Sequence, residues 1–287
     1  MPLDFAAIAP HGFPLIPDLS DDAGGALTTR AAMEELAGRA AAAEIETLVV
    51  AGPHGVRVEG GISLADTARA AGSLAWQGRV VELNVPVDGP LTDAIAATAR
   101  ARNIPIAMVG YAGNRRDQSV LPLDWGVLTP LWFLGHGRNM PGHGDVLADP
   151  PAAEIGPPAV IITPSRGVSR GTLVDFGHAV AEAAADDPRR IGFVASCDWG
   201  HAHRADGPYG FDPESAVVDA EVVAAVAAND LPRLISLDER RARDAAIDGL
   251  WQALMLAGAL EAVPMNVELL SYEAPTYYGM LVAVWAP

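Results

Sequence analysis

The sequence predicts an α/β fold: one domain with a central, largely parallel or mixed sheet covered by helices on both faces. Three observations carry this. Apolar runs of strand length alternate with Ala-rich runs of helix length, Gly and Pro punctuate the joins, and the same alternation continues along the chain. With 287 residues, of which 50% are hydrophobic and 19% charged, the chain is long enough for a substantial core and too apolar for a disordered one.

The elements follow in order. Phe5 to Ala9 is a short apolar stretch that runs into Pro10-His11-Gly12. A helix starts near Thr28 or Thr29, whose hydroxyls can cap its free amides, and continues through Ala31 to Ala43. Thr47 to Ala51 is a buried strand, ended by Gly52-Pro53-His54-Gly55, where Pro and Gly break the ladder. A helix over Leu91 to Arg102 and strands over Ile106 to Val109 and Val160 to Thr163 come next. They are followed by a helix over Thr172 to Ala185 and a strand over Ile191 to Ala195. After Asp212-Pro213-Glu214-Ser215 a helical stretch reaches about Asn229 and is closed by Pro232. A further helix spans Leu237 to Leu260, and Tyr277 to Trp285 form a final strand. The internal seam runs from Asp149-Pro150-Pro151 to Gly156-Pro157-Pro158. Elements of the same kind lie on both sides of it, so residues 1–287 are taken as one domain, with two similar halves as the other organisation.

Composition excludes several functions. The basic residues number 19, all Arg, against 36 acidic ones, for a formal net charge of −17. Nucleic acid is not an expected partner, because binding its backbone requires cationic surface that releases counterions, and the same charge opposes an anionic membrane. No stretch stays apolar for the roughly 18 residues of a membrane span, and the first residues lack a basic-then-apolar leader, so a cytoplasmic location is the expectation. Cys197 is the single cysteine, which rules out an intrachain disulfide and reads as a buried thiol, not a nucleophile. The Ala/Val periodicity of 216–228 suits a core or subunit-contact helix, and a homo-oligomer, a dimer, is expected.

The histidines are the most informative polar residues. His11 and His54 each sit in Pro-His-Gly after an apolar run, and two imidazoles presented at strand ends suit one cation; each also suits a hydrogen-bonded turn. A third cluster, Ser196-Cys197-Asp198-Trp199-Gly200-His201-Ala202-His203-Arg204, follows another strand, where α/β proteins commonly hold ligands. His201 is its candidate for proton exchange, while Asp198 reads equally as a helix cap. Ser165 to Gly171 offers Arg166 and helix-start amides to an anion, or forms a surface loop. His136 and His143 are flanked by glycines, as in a lid or a secondary metal site. Zinc motifs and a complete dinucleotide fingerprint are missing.

These segments, with Leu123-Asp124-Trp125-Gly126-Val127-Leu128-Thr129-Pro130-Leu131, resemble class III extradiol ring-cleavage dioxygenases, the protocatechuate 4,5-dioxygenase beta-chain superfamily, from about Ile8 to Val284. The resemblance implies Fe(II), or another divalent metal, held by two His and one carboxylate, with a small aromatic diol and O2 as substrates. On that likeness His11 and His54 match the imidazole ligands. Asp248, in Asp248-Gly249-Leu250-Trp251 ahead of Ala257-Gly258-Ala259-Leu260, matches the carboxylate, with Glu268 and Glu273 as fallbacks, and His201 matches the base. Trp125 stands where catecholic members have a second His, and an indole cannot transfer protons there. His136 or His203 is the candidate replacement, and Trp125 with Trp199 the candidate wall of a planar slot. The implied activity is extradiol ring opening with O2. The alternatives are a metal- or ligand-binding protein without ring cleavage and a metal-assisted hydrolase.

Overall fold

The structure, a computed structural model, describes residues 3–137 and 156–287. His143, Arg138 and most of the Pro-rich seam lie outside the described residues. Among the described residues, eight strands form the main sheet: β1 (Phe5–Ala9), β2 (Thr47–Ala51), β3 (Ile62–Ala65), β6 (Ile106–Val109), β8 (Ala159–Pro164), β9 (Ile191–Ser196), β10 (Asn266–Glu273) and β11 (Met280–Ala286). Their order is β10-β11-β1-β9-β2-β8-β3-β6. The middle four, β1, β9, β2 and β8, are parallel, and antiparallel pairs flank them at β1/β11 and β8/β3, so the sheet is mixed.

The parallel strands are buried at every residue, which is why they read as continuous apolar runs. Alternate side chains go to two cores. Ile8, Val49, Val160 and Phe193 face α2 (Gly89–Ala101), α4 (Arg170–Ala185), α5 (Glu214–Ala227) and α7 (Leu250–Ala262). Phe5, Leu48, Ile161 and Val194 face α1 (Leu27–Ala42), α3 (Trp125–Leu131) and a three-stranded sheet. That second sheet holds β4 (Arg69–Trp76), β5 (Arg79–Pro86) and β7 (Val120–Pro122), so one face is covered by helices and the other by helices and strands together.

Two expectations are corrected. The cap of α1 is not a Thr hydroxyl acting on its own helix: the Glu273 carboxylate accepts from the Thr29 amide (2.7 Å) and its hydroxyl (2.6 Å). The helix expected over Leu237 to Leu260 is broken into α6 (Glu239–Asp244) and α7, because Ala246 takes a left-handed backbone (φ 52°) that no α-helix continues through. The break puts Asp248 in a loop.

Candidate metal centre

The four parallel strands end on one edge of the sheet, and their exits carry the polar residues: His11 after β1, His54 after β2, Arg166 after β8, and Asp198 to His201 after β9. The α6–α7 loop is stitched to the last of these. The His201 amide donates to the Ala245 carbonyl (2.8 Å), and the Gly249 amide to the Asp198 carbonyl (3.0 Å). A side chain at 249 would bring its Cβ within 2.6 Å of the Cys197 Cβ, so glycine is what lets the loop close onto β9 and carry Asp248 to the His residues.

The geometry is compact. One ligand atom each from His11, His54 and Asp248 lie within 4.8 Å of one another. Asp248 Oδ2 is 3.5 Å from His11 Nε2, 3.8 Å from His54 Nε2 and 3.7 Å from His201 Nε2. The tautomers follow from the partners. The Ser196 hydroxyl donates to the Gly126 carbonyl and so accepts from His11 Nδ1–H at 3.1 Å, leaving the Nε2 lone pair for a cation. His201 Nδ1 donates to the Trp199 carbonyl at 2.6 Å, which leaves Nε2 as the ring nitrogen facing Asp248.

Charge divides the two imidazoles. Burial opposes a proton on His11, but the Asp198 and Asp248 carboxylates outweigh it and raise its pKa to about 9. His54 is lowered to about 4, first by burial and then by the positive charge of His11. Asp198, buried and 3.3 Å from His11 Nε2, is raised to about 6 by burial, held back by His11. Burial alone would raise Asp248 too, yet His11, His201 and His54 together keep it below the usual carboxylate range. Its Oδ1 is buried without a hydrogen-bond partner. A deep carboxylate with one oxygen idle, beside two imidazole nitrogens, fits a divalent cation of the Fe(II) type.

His54, His201 and Asp248 line a cavity of about 720 Å³, with Arg166, Tyr209 and Trp251 among its other walls. The Arg166 guanidinium carbon lies 4.8 Å above the Trp251 ring. Tyr278 stacks on His201 (centroids 5.5 Å apart, 22° between planes), and Tyr209 meets the same ring edge-on at 5.5 Å.

Several expected residues lie elsewhere. Trp199 is fully buried in the core and walls no slot. Trp125 is 43% exposed and packs on His54 (centroids 4.2 Å apart) instead of facing a second aromatic across a slot. Neither His136 nor His203 lines the cavity: His136 is buried and donates from Nε2 to the Pro157 carbonyl (2.9 Å), and His203 pairs with Asp219 (2.9 Å). The fallback acids are committed, Glu273 to Thr29 and Glu268 to Arg39 (2.7 Å). Asp198 caps no helix; it accepts from the His11 amide at 3.2 Å. Sequence reasoning placed Ser196 in the third cluster without a role and missed the tyrosines. Ser196 was legible as a polar residue closing an apolar strand, whereas Tyr277 and Tyr278 were absorbed into a strand that starts at Met280.

The fold is similar to that of an uncharacterized Escherichia coli K12 protein, JW3007. The TM-score is 0.59 at 13% identity, over 98% of this chain and 99% of the other, a likeness of fold alone. Protein CA_C1420 of Clostridium acetobutylicum is 25% identical over 241 residues. That is 84% of this chain but 47% of the relative, so the chain spans about half the relative's length. The family model described as the catalytic LigB subunit of aromatic ring-opening dioxygenase matches residues 6–283, and the chain belongs to that family.

Proposed function

We propose that the protein is an extradiol dioxygenase that opens a catechol-type ring with O2, binding Fe(II) through His11, His54 and Asp248 and using His201 as the base. The observation that carries this reading is the meeting of two strand-end imidazoles and a half-unpartnered buried carboxylate beside a third imidazole whose Nδ1 is engaged and whose Nε2 faces that carboxylate. Fe(II), when bound, supplies Lewis acidity toward the diol and the electron exchange that lets O2 react with a spin-paired ring.

The chain's residues do the rest. His201 takes a diol proton at Nε2, because Nδ1–H is committed to the Trp199 carbonyl, and the imidazolium so formed faces Asp248 3.7 Å away. Tyr278 holds the ring's plane by stacking, and Ser196 holds His11 in the tautomer that offers Nε2. The test is anaerobic loading with Fe(II), then O2 and a panel of catechols. Oxygen uptake with a yellow ring-opened product is expected, together with retained metal and lost turnover in His201→Phe. No uptake across the panel would refute the activity. A second reading, a metal- or ligand-binding protein without ring cleavage, is supported by Trp125 and by the absence of a second proton-transfer imidazole from the cavity among the described residues. Metal retention with no oxygen uptake would favour it.

A further inference from the structure

We infer that Asp219, on α5 and outside the cavity, is a positioning residue that acts on His201 through the peptide group joining Trp199 and Gly200. The inference rests on His201 as the base of the proposed reaction and names what holds it in its working tautomer.

Both ends of one peptide unit are engaged. Its N–H, on Gly200, donates to Asp219 Oδ1 at 2.7 Å, and its C=O, on Trp199, accepts from His201 Nδ1–H at 2.6 Å. In a trans peptide the N–H and C=O point in opposite directions, so a carboxylate on one side and an imidazole on the other lie in series. A negative charge at the N–H pushes electron density toward the carbonyl oxygen, which then accepts more strongly from Nδ1–H. The proton stays on Nδ1, and the Nε2 lone pair stays turned to Asp248 and the cavity.

The surroundings favour this over a merely structural acid. Asp219 is fully buried, where hydrogen bonds are stronger than in water. Its Oδ2 takes donors from two further elements: His203 Nε2 after β9 at 2.9 Å and the Tyr272 hydroxyl on β10 at 2.7 Å. This anchors the carboxylate from three directions. A Cβ on residue 200 would sit 3.0 Å from Asp219 Oδ1 and 2.8 Å from the Ser215 Cβ, so glycine is the residue that lets the peptide come so close to the acid. His203, a candidate acid or base by sequence, thereby gains a role one step removed from the cavity.

The experiment is nitrogen-edited NMR of the His201 ring in the full chain loaded with zinc, with turnover measured in parallel on the Fe(II) form. Wild type is expected to give the Nδ1–H tautomer with a strongly downfield Nδ1–H proton. Asp219→Asn keeps the shape and removes the charge. It is expected to shift that proton upfield, populate the Nε2–H tautomer, and lower kcat about tenfold with KM changed less than twofold and metal content retained. Tyr272→Phe removes a donor but leaves the charge, so its Nδ1–H signal persists. An Nε2–H tautomer in wild type, or an equal loss of the signal in both variants, or no change in Asp219→Asn, would overturn the inference. The NMR readout does not depend on ring opening: an inactive protein with the expected tautomer behaviour removes the proposed reaction and leaves the positioning intact.

Discussion

His11 and His54 occupy the same tripeptide, Pro-His-Gly, at the ends of two parallel strands of one sheet, and their chemistry is opposite. His11 is 2% exposed between two carboxylates and holds its proton up to about pH 9. The His54 side chain is 29% exposed, packed at a tilt against Trp125, and gives its proton up near pH 4. The local sequence therefore fixes where each imidazole is presented. The charges that other strands and loops bring to it decide whether it enters metal binding as a cation or as a free base.

The strongest way to break this comparison is to delete each ring. His11→Ala and His54→Ala should both lose metal on dialysis, but only His11→Ala should weaken the metal-free protein, because it leaves Asp198 and Asp248 buried with no cation between them. The cost should be about 3 kcal/mol at pH 6.5, read from urea unfolding. The sign is fixed by the raised pKa: the stabilisation from His11 is fully present below its unfolded value near 6.5 and disappears as pH rises through about 9. The gap between wild type and His11→Ala should thus narrow by pH 9.5 to what the lost packing and the Ser196 hydrogen bond cost. A gap that widens there, or an equal loss in His54→Ala, contradicts the assignment.

Ser196→Ala sharpens the contrast by acting on one ring. It removes the acceptor for His11 Nδ1–H and leaves the surroundings of His54 in place. Metal affinity should fall about 10- to 100-fold, as for other partners of metal-bound histidines, measured by competition with a chromophoric chelator. An unchanged affinity would mean that burial alone orients His11.

Much of this was legible beforehand, and the boundary is physical. Thr47–Ala51 and Ile106–Val109 match their expected bounds because an apolar run with Gly or Pro nearby leaves few alternatives. The β4–β5 hairpin was not seen. Its strands mix Ala, Gly and Ser with partial burial, and its turn is Gln77-Gly78, in which Gln adopts a positive φ usually signalled by Asn or Asp. At the site, the resemblance singled out Asp248, which the structure places beside His11 and His54, yet the sequence read its loop as helix. Only the left-handed Ala246 and the contact of Gly249 with Cys197 explain how the acid reaches the imidazoles. Asp198 was visible only as an acid in a loop, since its effect on His11 depends on β1 lying beside β9, a pairing of residues nearly two hundred positions apart.

The finest test counts protons. Two imidazoles with ordinary pKa values near 6.5 would release none on binding a metal at pH 7.5 to 8.5 and two well below pH 6. Here His54 is already free of its proton throughout that range, whereas His11 must surrender one at every pH below about 9. From pH 6.5 to 8.5 the binding of zinc should therefore release close to one proton. The logarithm of the apparent affinity should rise with pH at a slope near one, up to tenfold per unit, and flatten above pH 9. Calorimetry in buffers of different ionisation enthalpy reads the proton number directly. A value of zero at pH 7.5 would mean that His11 is neutral despite its carboxylates, and the two Pro-His-Gly loops would then be electrically alike.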